Sequence, residues 1–127
     1  VGIVGLGVDL AEVARIRGAI ERHGDRLLAK LFHPGEILRP PGIGLPYFEH
    51  VAGRFAAREA AMKALATGWG HGVGWKSFRV DREPGGAPRL VLLGEASRLA
   101  AVRGVRQVHL TITHGGGLAV AVVVLES

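Results

Sequence analysis

Four polar residues stand where their types and spacing could do chemistry: Asp9, Glu59, Lys63 and His114. Glu59 and Lys63 lie four apart in the alanine-rich run Tyr47–Ala66, so on a helix they point the same way. Along that run Phe48, Val51, Phe55, Met62 and Ala66 recur at three- and four-residue spacing, and Glu59 fills the position that completes the stripe. A carboxylate on an apolar seam has to be salt-bridged, protonated or bound to a metal, because an unpaired buried charge is costly. With Lys63 one turn on, it would form an ordinary helix ion pair. A stripe offset by one residue would put it at the surface. As a metal ligand with a cation beside it, it would suit phosphate chemistry. Asp9 is one of three aspartates and shares a strand face with Ile3, Gly5 and Gly7 by period-two counting. Two glycines leading to an acid leave room for another element or a ligand to approach; alternatively, Asp9 caps the helix that follows. His114 ends a strand whose same-face neighbours are Val108, Leu110 and Ile112. It is either a core histidine or, before Gly115-Gly116-Gly117, part of a backbone wrap for an anion.

The elements that position these residues can be read from turn chemistry and periodicity. Ile3–Val8 reads as a strand ending at Asp9, with a helix through Glu12–Ile16 and beyond, and a second short helix at Asp25–Leu31 closed by Pro34-Gly35. Pro40-Pro41-Gly42-Ile43-Gly44 reads as a surface loop before the long helix Tyr47–Ala66. Trp75–Asp81 and Ala87–Leu93 flank the turn Glu83-Pro84-Gly85-Gly86, and Gly94–Arg103 is a helix ending at Gly104. Val108–His114 and Leu118–Leu125 form a hairpin across the three glycines. Tight hairpins argue against a doubly wound parallel sheet, so the predicted class is α+β with mainly antiparallel strands. At 127 residues the expectation is a single domain, 1–127.

Composition narrows the function classes. With 48% apolar and 21% charged residues, the chain is not a disordered tail. Its longest apolar run, Leu118–Leu125, is far short of the ~20 residues of a membrane helix. No cysteine is present, which removes disulfides, thiolate nucleophiles and cysteine-based zinc sites. The start Val1-Gly2-Ile3-Val4-Gly5 carries no basic leader, so the expected address is cytoplasmic. Neither a serine-nucleophile elbow nor a Walker motif occurs, and the remaining histidines lack metal-ligand spacing. The net charge of +5 calls for an anionic partner: nucleic acid, a phosphorylated small molecule or an acidic protein. A basic nucleic-acid-binding module is the alternative from another class, although 6% aromatics supply few stacking platforms.

Three segments, in order and spread over nearly the whole chain, resemble the 4′-phosphopantetheinyl transferases, specifically the short holo-acyl-carrier-protein synthase type. Gly5-Leu6-Gly7-Val8-Asp9-Leu10 resembles the family's N-terminal Gly-x-Asp segment. Phe55-Ala56-Ala57-Arg58-Glu59-Ala60-Ala61-Met62-Lys63-Ala64-Leu65 resembles its Phe-Ala-x-Lys-Glu-Ala-x-x-Lys-Ala helix. Thr111-Ile112-Thr113-His114 with Leu118–Ala121 and Val124-Leu125-Glu126 resembles its closing hairpin. Two positions depart from the pattern: Arg58 stands where the family usually has Lys, and Gly115 where many members carry a polar or acidic residue.

The resemblance implies transfer of the 4′-phosphopantetheine arm of coenzyme A to a serine of apo-acyl carrier protein, with release of 3′,5′-ADP. It assigns Asp9 and Glu59 to a Mg²⁺ that also binds the pyrophosphate, and Lys63 to the charge building on the phosphates. The serine proton goes to Glu59 or to a metal-held water. Arg54 and His114 are implied for the coenzyme's phosphates, and Gly86-Ala87-Pro88 resembles the family's Gly-x-Pro near the adenine. Arg15, Arg22 and Arg26 would face the acidic carrier protein. The chain's length matches the short type, which forms homotrimers with active sites between subunits. The enzyme alternative is a transferase domain of, or acting on, a large fatty acid or polyketide synthase.

Overall fold

A computed structural model describes residues 2–37, 44–67 and 70–127. In chain order it contains β1 (Ile3–Glu12), α1 (Val13–Leu31), α2 (Gly44–Leu65), a 3₁₀ turn at Trp75–Ser77, β2 (Phe78–Arg82), β3 (Pro88–Leu92), α3 (Gly94–Val102), β4 (Gln107–Gly115) and β5 (Leu118–Glu126). The fold is α+β, as expected: β1, β5 and β4 form an antiparallel sheet in that order, and β2 and β3 form a separate hairpin. The loop expected at Pro40–Gly44 falls at 40–43 outside the described residues, while Gly44 already begins α2. Trp75–Ser77 is a 3₁₀ turn rather than the start of a strand.

The strand carrying Asp9 runs on to Glu12, because Asp9, Leu10, Ala11 and Glu12 continue the ladder against Ala121, Val120, Ala119 and Leu118. Asp9 is therefore not a helix cap. That place falls to Glu12, whose side chain makes no capping bond, while the Val13 N–H donates to the Gly117 carbonyl at 2.9 Å. The two early helices are present as expected: within α1 they meet at a kink at Gly24, whose φ of 57° and ψ of −139° are non-helical, and Asp25–Leu31 is the second. The closing hairpin turns through Gly116 and Gly117 at φ of 60° and 81°, the two positive values a two-residue primed turn needs.

Helix α2 lies directly on the inner face of the sheet, where Ala119, Ala121, Val123 and Leu125 of β5 are buried. The glycines before Asp9 make room for this helix and not for a ligand. A Cβ on Gly5 would lie 2.0 Å from the Ala64 carbonyl oxygen, and one on Gly7 1.9 Å from that of Ala60. With the sheet on one side and α1 and β2 on others, α2 is buried nearly all round; Ala56, Ala57, Arg58 and Ala60 are each fully buried. This corrects the predicted stripe. Phe55 and Glu59 are half-buried and Lys63 and Ala66 exposed, so that row is the helix's most open face in its second half. A helix enclosed on nearly every side has apolar residues in most directions, and its periodicity no longer tells core from edge.

The outer face of the sheet remains uncovered. Leu6, Val8 and Leu10 of β1 are 65%, 54% and 59% exposed, and they are paired across the ladder with Val124, Val122 and Val120. Among the described residues no helix is long and apolar enough to cross a membrane.

Candidate active site

Most of the residues predicted for chemistry line two concavities beside α2. The larger, about 910 Å³, lies between β1, α1 and the Phe55–Glu59 face, and its wall includes Asp9, Glu12, Arg15, Arg22, Lys30 and Glu59. The smaller, about 280 Å³, lies between α2, the β2–β3 hairpin and the end of β4; Glu49, His50, Arg54, Arg82, Gly86, Pro88 and His114 line it. The residues predicted for chemistry thus segregate. Asp9 and Glu59 share the groove with Arg15 and Arg22, whereas Arg54, Gly86, Pro88 and His114 share the cavity. Arg26 is exposed past the Gly24 break and lines neither. At about 100° per residue, Gly53 sits about 120–160° round α2 from Phe55 and Glu59, and Glu49 and Arg54 about 80–140°, so the two sets occupy different flanks of the helix.

Lys63 lines neither concavity. Its Nζ donates to Asp9 Oδ1 at 3.0 Å and to the Val8 carbonyl at 3.1 Å, tying α2 to β1 beside the two acids. The Lys63 side chain is 56% exposed and that of Asp9 17%, so this pair contributes little to stability and leaves the cation reachable from solvent. Among the described residues no three His, Cys, Asp or Glu side chains cluster as metal ligands. The acids of the groove offer hard carboxylate oxygens only.

In the smaller cavity, His114 Nδ1 lies 3.2 Å from Glu49 Oε2. Gly53 lets α2 close on β4: a Cβ there would lie 2.8 Å from Ile112 Cγ2, which brings Arg54 up to the His114 end of the strand. Arg82 joins the cations through the hairpin register, which pairs it with Pro88. Glycine backbone at 86 and the basic side chains of Arg54, which is itself buried, Arg82 and His114 line a cavity suited to an anion.

Residues 5–123 match the profile of the 4′-phosphopantetheinyl transferase superfamily. The chain belongs to that superfamily. Within it, a holo-[acyl-carrier-protein] synthase from Solibacter usitatus is 49% identical over 125 residues, covering 98% of this chain and 99% of its own length. A crystal structure of a holo-(acyl-carrier-protein) synthase from Bacillus anthracis in complex with CoA (3′,5′-ADP) is 36% identical, with a TM-score of 0.79 over 100% of this chain and 99% of that one. The Helicobacter pylori holo-[acyl-carrier-protein] synthase in complex with coenzyme A superposes with a TM-score of 0.81 at 27% identity, over 95% of this chain and 99% of that one.

Sequence reasoning missed Glu49, Arg82 and a buried pair behind the site. Arg58, the departure from the family's usual Lys, is wholly buried and forks onto Glu36: Nη1 to Oε2 at 2.7 Å and Nη2 to Oε1 at 2.6 Å. The pair pins the segment after α1 to the residue next to Glu59. Arg82 was findable, since hairpin pairing places it beside Pro88; Glu36 had no local signal, lying 22 residues from its partner.

Proposed function

We propose that this chain is a holo-[acyl-carrier-protein] synthase that moves the 4′-phosphopantetheine arm of coenzyme A onto a serine of apo-acyl carrier protein and releases 3′,5′-ADP. The observation that carries the reading is the pairing of a carboxylate groove with a cationic cavity on one helix, in a chain 49% identical to such a synthase along its whole length. Residues 1–127 act as one transferase domain serving fatty acid or polyketide synthesis in the cytoplasm.

Asp9 and Glu59 are the ligands for Mg²⁺. Two carboxylates without histidine or cysteine suit a hard ion that fills its remaining positions with phosphate oxygens and water. When bound, the ion supplies charge neutralisation at the pyrophosphate. Lys63, already poised on Asp9, donates to phosphate oxygens as negative charge grows on the leaving 3′,5′-ADP. Arg54 and His114 hold the coenzyme's phosphates, and Gly86 and Pro88 form the wall near the adenine. Arg15 and Arg22 at the groove, with Arg26 extending the cationic strip, receive the acidic carrier.

The active protein is a homotrimer with its sites between subunits. The two halves of the site lie on different flanks of α2, and a coenzyme that engages both is held by the groove of one copy and the cavity of the next. Joining unlike flanks is a heterologous contact, and a heterologous contact that closes makes a ring. The uncovered apolar face of Leu6, Val8 and Leu10 supplies area for such an assembly.

The test is to incubate the protein with coenzyme A, Mg²⁺ and an apo carrier, and to follow the carrier's mass. Wild type adds one phosphopantetheine group, chelator stops the transfer and Mg²⁺ restores it, and Glu59→Gln abolishes it while keeping the thermal transition. Full activity of Glu59→Gln would defeat the site assignment.

A further inference from the structure

Glu49 has no part in the chemistry set out above, yet it is the polar partner of His114. One turn before Gly53, α2 turns Glu49 toward β4, and its Oε2 lies 3.2 Å from His114 Nδ1. The carboxylate side chain is 16% exposed, whereas the imidazole is 51% exposed. His114 sits at the end of its strand, followed by Gly115, Gly116 and Gly117, so no neighbouring side chain on that side buttresses the ring. The charged group that meets the ring is the Glu49 carboxylate, through an ion-pair contact at 3.2 Å. The two ring nitrogens lie on opposite edges, so fixing Nδ1 on the helix presents Nε2 to the cavity that Arg54 and Arg82 line.

We propose that Glu49 is a positioning residue: it holds the His114 imidazole through Nδ1 so that Nε2–H is presented to a phosphate oxygen of the coenzyme. A neutral imidazole has one N–H; the imidazolium donates from both nitrogens, one to Glu49 and one to phosphate. Glu49 is an anion in a cavity built for an anion, and by simple Coulomb repulsion its removal would tighten phosphate binding. The positioning role requires the opposite sign. This role rests on the transferase reading above.

The experiment measures the Kd of 3′,5′-ADP by calorimetry, and KM for coenzyme A and kcat by carrier loading, for wild type, Glu49→Ala, Glu49→Gln, His114→Ala and the Glu49→Ala/His114→Ala double variant. Losing an orienting charged contact is worth about tenfold. Glu49→Ala therefore weakens 3′,5′-ADP about tenfold, and the loss falls on KM rather than kcat. Glu49→Gln, which keeps an accepting oxygen, recovers most of the affinity. The double variant binds no more weakly than His114→Ala. Tighter binding by Glu49→Ala, undiminished binding, or losses that add in the double variant each overturn the positioning role while the transferase reading stands. A wild type that neither binds 3′,5′-ADP nor loads a carrier overturns the transferase reading and this role with it.

Discussion

Replacing Glu36 by alanine isolates the guanidinium of Arg58 inside the protein. Both side chains are fully buried, and Glu36 takes two bonds from Arg58, at 2.6 and 2.7 Å, with one each from the backbone N–H of His33 and Val80 at 3.0 Å. Arg58 keeps the carbonyls of Phe78 at 2.9 Å, Trp75 at 3.1 Å and Arg54 at 3.3 Å, and the Phe32 ring 4.6 Å away. Those dipoles solvate the cation in part but do not neutralise it, and two backbone donors lose their acceptor. Breaking one side of such a pair costs about 3–5 kcal/mol. For a domain of this size, at roughly 3–5 °C per kcal/mol, the transition falls by about 10–20 °C. Calorimetry or urea unfolding reads this directly. Removing the charge from both partners, as Glu36→Gln with Arg58→Met, leaves an acceptor for one of the two N–H groups and loses clearly less than the sum of the single variants. Arg58→Lys loses about 1–2 kcal/mol, because an ammonium cannot fork onto both carboxylate oxygens. A Glu36→Ala variant within about 1 kcal/mol of wild type, or strict additivity in the cycle, would refute the claim that this pair anchors α2.

Four further outcomes are expected. Gly7→Ala forces α2 off β1, since its Cβ would meet the Ala60 carbonyl at 1.9 Å; unfolding should show a loss of about 2 kcal/mol or more. Lys63→Met changes stability by less than about 1 kcal/mol, because the Asp9 pair is solvent-facing, yet cuts kcat at least about a hundredfold in the carrier-loading assay. Val8→Asp puts a charge on the uncovered sheet face; on the proposed assembly, light scattering should report a trimer for wild type and a monomer for the variant. Hydrogen bonds from Arg79 at 2.7 and 3.0 Å hold the Asp81 carboxyl below its ordinary range. Its small contribution is fully present above about pH 4 and lost as pH falls through the lowered value, so Asp81→Asn flattens the acid limb of the Tm–pH curve.

Much of the fold was legible because its signals are local. Positive-φ glycines at 116 and 117, the alanine-rich run of α2 and the hairpin turn before Gly86 act within a few residues, and local backbone sterics made them readable. The residue pattern around Asp9, Glu59 and His114 carried the family without any coordinates. The end of β1 was misplaced because Asp9–Glu12 is held as strand by a partner more than a hundred residues away in sequence.

Burial and neighbourhood belong to whatever packs against a residue, and that is where reading from sequence stopped. Spacing on α2 placed Glu59 in an apolar seam; packing of sheet, α1 and β2 around that helix moved the seam and left Glu59 on an open groove with Asp9. The sequence marked Arg58 only as a departure from the family's usual Lys, and the fold sealed it against Glu36. Neither Glu49 beside His114 nor the division of the site between two flanks of α2 has a local signature, because each depends on how strands distant in sequence are laid against one helix.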